Sequence, residues 1–96
     1  MMVLVTYDVN TETAAGRKRL YKVAKQCKNY GQRVQNSVFE CINDSARLKL
    51  MQASLEKLID PTKDSLRYYY LGDEWRNRVL HVGAKPSLDF EGTLIA

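Results

Sequence analysis

The chain is poor in the residues that usually announce catalysis. Its 96 residues include one histidine, His81, and two cysteines, Cys27 and Cys41. One histidine excludes ribonuclease chemistry of the two-histidine kind. The cysteines are too far apart for a Cys-x-x-Cys site, and one histidine does not complete a usual zinc set with them, so they read as small buried hydrophobes. Flanked by Leu80 and Val82, His81 reads as structural. No glycine-rich phosphate loop, no Gly-x-Ser-x-Gly elbow and no nucleophile–base pair occurs. No apolar run approaches the roughly 18 residues that span a membrane. The opening Met-Met-Val-Leu-Val-Thr-Tyr-Asp has neither a basic leader nor a small-residue cleavage site, so the expected location is the cytoplasm, with no membrane partner.

What remains is 45% hydrophobic and 27% charged residues with a net charge of +4, the balance of one globular domain. The positive charge is local. Residues 1–36 carry seven basic and two acidic residues, and residues 37–96 carry eight basic and nine acidic. Six of the basic residues (Arg17, Lys18, Arg19, Lys22, Lys25 and Lys28) fall in one short stretch with no acid among them. A solvated helix face normally mixes signs, so this one points to phosphate and to nucleic acid.

Hydrophobic patterning gives the element order. Residues 2–9 are β-branched and aromatic, a strand with apolar residues on both faces. Residues 13–29 place Leu20, Val23, Ala24 and Cys27 on one helical stripe, with Gly31 as a stop. Two short strands follow at 32–35 and 37–43, with a turn near Asn36. Asp44 or Ser45 caps a helix over 45–59 whose stripe is Leu48, Met51, Leu55, Leu58 and Ile59; Leu50 falls off that stripe. Asp60-Pro61 ends it. Residues 65–72 and 77–83 read as further strands. In the first of these, Tyr69 faces away from Tyr68 and Tyr70, so the tyrosine run divides between core and surface, with base stacking the alternative.

The order β-α-β-β-α-β with an extra C-terminal strand is an α+β, ferredoxin-like arrangement with both helices on one face of an antiparallel sheet. Residues 1–83 form the domain, and 84–96 form a tail expected to pack on a partner subunit. A symmetric second copy is the simplest cover for the other sheet face.

Asp8 is the candidate chemical residue. A carboxylate closing an apolar strand is costly to bury unless paired, hydrogen-bonded or bound to metal; the plain alternative is that it caps the following loop or the start of the first helix. Mg²⁺ needs more than one oxygen ligand, and no second carboxylate stands at a recognisable spacing. A two-fold dimer would supply Asp8 twice.

The runs Tyr7-Asp8-Val9, Lys18-Arg19-Leu20, Gly31-Gln32-Arg33-Val34-Gln35-Asn36-Ser37-Val38-Phe39-Glu40 and Asp64-Ser65-Leu66-Arg67 resemble the CRISPR-associated protein 2 family across essentially the whole chain. The tail resembles its subtype I-C branch. The resemblance implies a homodimer in which two Asp8 residues face each other, and an endonuclease dependent on Mg²⁺, with Mn²⁺ able to substitute. It implies double-stranded DNA as substrate, with single-stranded RNA the alternative. It also implies a bridging role between dimers of CRISPR-associated protein 1, the integrase of spacer acquisition. By position, Tyr7, Asp8, Arg17, Arg33, Ser37 and Phe39 match the family's site, with Asp8 the metal ligand. Arg17, Lys18, Arg19, Lys22, Lys25 and Arg33 are the expected nucleic-acid contacts. Ala15 stands where some members carry arginine. Two further readings compete: a DNA-binding adaptor that cuts nothing, and a toxin-type ribonuclease on the same fold.

Overall fold

The computed structural model describes residues 1–84. Strand β1 (Met2–Asp8) is followed by helix α1 (Ala14–Lys28), β2 (Gln32–Gln35), β3 (Val38–Ile42), helix α2 (Ser45–Leu58) and β4 (Ser65–Gly72). A 3-10 turn, Trp75–Asn77, comes last. The sheet order is β2-β3-β1-β4, with every neighbouring pair antiparallel. The α+β arrangement expected from the sequence is present.

The two apolar faces of β1 have separate fates. Val3, Val5 and Tyr7 face the helices, Val3 paired with Cys41 and Val5 with Phe39 of β3. They are buried with Val23 and Cys27 of α1 and Leu48, Met51 and Leu55 of α2. Both helical stripes are those the periodicity predicts. On the other face Met2 is buried beneath Trp75, with Ile42, Leu71 and Val79 around it. Leu4 and Thr6 are only half-buried there and Asp8 is exposed. Leu50, off the predicted stripe, projects from α2 and is 64% exposed.

Local chemistry sets the boundaries. Thr13 Oγ1 accepts from the Gly16 amide at 3.0 Å and caps α1. Asp44 Oδ1 accepts from the Arg47 amide at 2.8 Å and caps α2, so the cap is Asp44, not Ser45. Such caps satisfy amides that the first turn leaves free. Gly31 does not end α1 through a left-handed conformation. It is glycine because the Glu40 carbonyl and Cys41 of β3 lie where its side chain would be.

One expected strand is absent. Residues 77–83 are the end of the 3-10 turn and an irregular segment, and they pair with none of the four strands. Leu80 and Val82 are 89% and 85% exposed. An alternating apolar segment becomes a strand only against a neighbouring ladder, and among the described residues neither edge of the sheet receives it. His81 is correspondingly exposed rather than embedded. The expected tail packing, from 85 onward, lies outside the described residues. Among the described residues no helix is long and apolar enough to cross a membrane.

Candidate nucleic-acid site

Asp8 is the last residue of β1, a strand with neighbours on both sides, and it lies opposite Ser65 of β4. It shares the open face of the sheet with Thr6 and Leu4 and is solvent-exposed. The expectation of a costly buried acid therefore gives way to a carboxylate that keeps its water.

The buried acid is Asp64, which the sequence singles out only as part of a family run. Its side chain is fully buried. It accepts from Arg19 Nε at 2.7 Å and Nη2 at 3.3 Å, from the Asn10 amide at 3.0 Å and from the Asp60 amide at 2.8 Å. The Arg19 hydrogen bond is the largest cause holding its carboxyl at a pKa of about 2; donors aimed at a carboxylate favour its charged form. The segment after Asp8 is thus tied to the start of β4. It is also pinned from α1, because Gly16 lies so close to the Asn10 carbonyl that no side chain fits between them. Arg17 adds a hydrogen bond from Nη1 to the Thr11 carbonyl at 3.1 Å.

Tyr7, Arg33, Ser37 and Phe39 come together, but behind Asp8. Tyr7 and Phe39 belong to the core on the helix side of the sheet. Their rings stack at 6.2 Å, and the Arg33 guanidinium lies 5.2 Å from the centre of the Phe39 ring. The Tyr7 hydroxyl donates to the Asn36 carbonyl at 3.1 Å, and its amide donates to the Ser37 carbonyl at 3.1 Å. Burial pushes the Tyr7 phenol above its usual range, assisted by Cys27 and opposed by Arg33. These groups fasten the β2–β3 turn to the end of β1.

The basic residues also divide. Arg19, expected as a phosphate contact, is instead committed to Asp64, because its place beside the buried stripe brings it to that carboxylate. Lys18, Lys22, Lys25 and Lys28 project from α1, exposed and without an ion-pair partner among the described residues. Arg33 is exposed at the hairpin.

Among the described residues no group of three or more His, Cys, Asp or Glu side chains is placed to hold a metal. Glu40 lies on the same open face as Asp8 but opposite Leu4, four positions or roughly 13 Å along the strand. Burial raises its carboxyl pKa, and His81 opposes that rise. Asp8 and Glu40 therefore stand too far apart to share one ion. Neither cysteine is a nucleophile: burial pushes Cys27 up to about 12 and Cys41 up to about 11.

Residues 1–79 match the family model described as CRISPR associated protein Cas2. A protein of Halalkalibacterium halodurans named CRISPR-associated endonuclease Cas2 is 60% identical over 95 residues, 99% of each chain. One of Rhodospirillum rubrum named CRISPR-associated endoribonuclease Cas2 3 is 62% identical over 94 residues, 98% of this chain and 99% of the other. A crystal structure of Streptococcus pyogenes Cas2 superposes with a TM-score of 0.74 at 59% identity, covering 86% of this chain and 100% of that one.

Proposed function

This chain belongs to the Cas2 family of CRISPR-associated proteins, and on that premise we propose that it is a Mg²⁺-dependent endonuclease, acting on double-stranded DNA in preference to single-stranded RNA, that also bridges integrase dimers during spacer acquisition. Relatives named endonuclease and endoribonuclease support the nuclease role. The observation that carries the reading is Asp8: an exposed carboxylate on the open face of the sheet, followed by a loop held at Asn10 and Gly16.

The metal requires a second copy of the chain. One carboxylate is too few for Mg²⁺, whereas a homodimer through the open face would bring two Asp8 side chains to one place. Those two residues would hold the ion, with Mn²⁺ able to replace it. The chemistry supplied there is activation of water and neutralisation of phosphate charge. The half-buried Leu4 and Thr6 and the exposed Leu80 and Val82 are surfaces that a second copy would cover. Lys18, Lys22, Lys25, Arg17 and Arg33 bind the phosphates. Tyr7 and Phe39 support Asp8 from behind, and Ser37 does so through its backbone.

The test is cleavage of plasmid DNA and single-stranded RNA with Mg²⁺, with Mn²⁺ and with chelator, beside Asp8→Asn. Loss in both the chelator and the variant samples is expected. Cleavage that survives in the variant overturns the assignment of Asp8.

The exposed lysines of α1, a helix that contains no acid, favour a second reading, a DNA-holding adaptor that cuts nothing. It requires that Asp8→Asn integrate spacers normally and that replacing Lys18, Lys22 and Lys25 by Glu abolish DNA binding.

A further inference from the structure

Tyr21 is 68% exposed in the middle of the basic face of α1, and nothing in the proposed activity uses it. At about 100° per residue, the helix sets Arg17, Lys28, Tyr21, Lys25, Lys18 and Lys22 in that angular order, within an arc of about 140°. The ring thus has cations on both sides, and α1 contains no acidic residue. All six side chains are exposed. Among the described residues neither the Tyr21 hydroxyl nor the four lysines have a hydrogen-bond or ion-pair partner. A lone exposed aromatic needs no explanation; one enclosed by unpaired cations pairs the two elements of single-strand recognition, a flat apolar ring for a base and charges for the flanking phosphates.

We infer that the outer face of α1 is a platform for nucleic acid with an unpaired base, Tyr21 stacking on that base while Lys18, Lys22 and Lys25 hold the adjacent phosphates. This rests on the nucleic-acid reading above and extends it. In a blunt duplex the bases are stacked on each other, so the ring has a partner only in a single strand or at a frayed or overhanging end. A membrane surface fits less well. A helix that lies in a lipid interface needs a free apolar face, and the apolar stripe of α1 (Val23 and Cys27, with Leu20 and Ala24) is spent in the core.

The experiment is fluorescence anisotropy in chelator, with the full chain and four labelled probes: a mixed-sequence DNA strand, the same sequence as RNA, an abasic DNA strand of equal length, and a blunt duplex. Wild type should bind the strand with bases roughly tenfold more tightly than the abasic strand, within the range of a single stacking contact. Tyr21→Ala should abolish that difference while leaving abasic and duplex affinities unchanged, and Tyr21→Trp should restore it. The DNA and RNA arms identify the preferred source of the base. Equal loss on all probes, or no change on any, overturns the role of Tyr21 and leaves nucleic-acid binding standing. Tyr21-dependent binding to phosphatidylserine vesicles without base-dependent binding overturns it in favour of a membrane surface. Failure of wild type to bind any probe overturns the nucleic-acid reading as well.

Discussion

Arg19 and Asp64, 45 residues apart in the chain, form a two-point ion pair at 2.7 and 3.3 Å in which the carboxylate is fully buried. The same two oxygens serve the Asn10 and Asp60 amides. Replacing Asp64 by Ala leaves the guanidinium and two amides without their acceptor. A buried donor stranded in this way typically costs about 1–3 kcal/mol, and a loss at least that large is expected by urea denaturation. Exposed Asp8, changed to Asn, should leave the denaturation midpoint almost where it was.

The pair also sets an acid dependence. The Asp64 carboxyl has its pKa lowered from 3.8 to about 2 in the folded chain. Its contribution is therefore complete above the unfolded value and is lost as pH falls through the folded one. Unfolding free energy measured from pH 6 to pH 2 should show wild type ahead of Asp64→Asn by a constant margin down to about pH 4. That margin should shrink between there and pH 2.

Gly16→Ala reverses a familiar expectation. In an exposed helix interior the change stabilises by about 0.5–1 kcal/mol. Here the added methyl meets the Asn10 carbonyl. Forced overpacking of this kind costs about 1–3 kcal/mol. A lower melting temperature is expected, together with slower cleavage, because the displaced loop is the one that follows Asp8.

Tyr7→Phe separates support from chemistry. The variant loses the hydroxyl bond to the Asn36 carbonyl and keeps the ring stack on Phe39. About 1 kcal/mol of stability should go, with the cleavage rate within about twofold of wild type. A hundredfold fall in rate at unchanged stability would instead give the phenol a part in the chemistry.

Cys27 and Cys41 are fully buried, with thiol pKa values well above the usual range. A thiol reagent should therefore leave the native protein unmodified over minutes and titrate two groups in guanidinium.

Much of this architecture was legible because it is written in short-range patterns. Val23 and Cys27, like Leu48, Met51 and Leu55, are spaced by three or four, and Asp44 is an ordinary cap residue. What a local pattern cannot carry is a partner. The alternation around Val79 and His81 looks like a strand, yet a strand is a property of two segments. Asp64 looks like a surface acid before a strand, because its donors lie at positions 10, 19 and 60. Arg19 did leave a trace: on the helical wheel it sits about 40° from Val23, at the rim of the buried stripe, whereas Lys18 and Lys22 sit well outside it. Counting it with the exposed lysines weights its charge over its angle. Asp8 was legible as the candidate by its place at the end of an apolar strand, but not its exposure, which depends on which sheet face is left uncovered.

The Asn10–Asp64 bond also has a meaning in time. The loop that follows Asp8 is made near the start of synthesis, yet its acceptor is 54 residues further on. Until residue 64 is in place, the chain holds the carboxylate proposed for cutting but not the clamp that steadies the loop beside it. On that reading a growing or truncated chain carries its proposed cutting group before the residue that fixes the neighbouring loop, and the clamp arrives only with the turn that leads into β4.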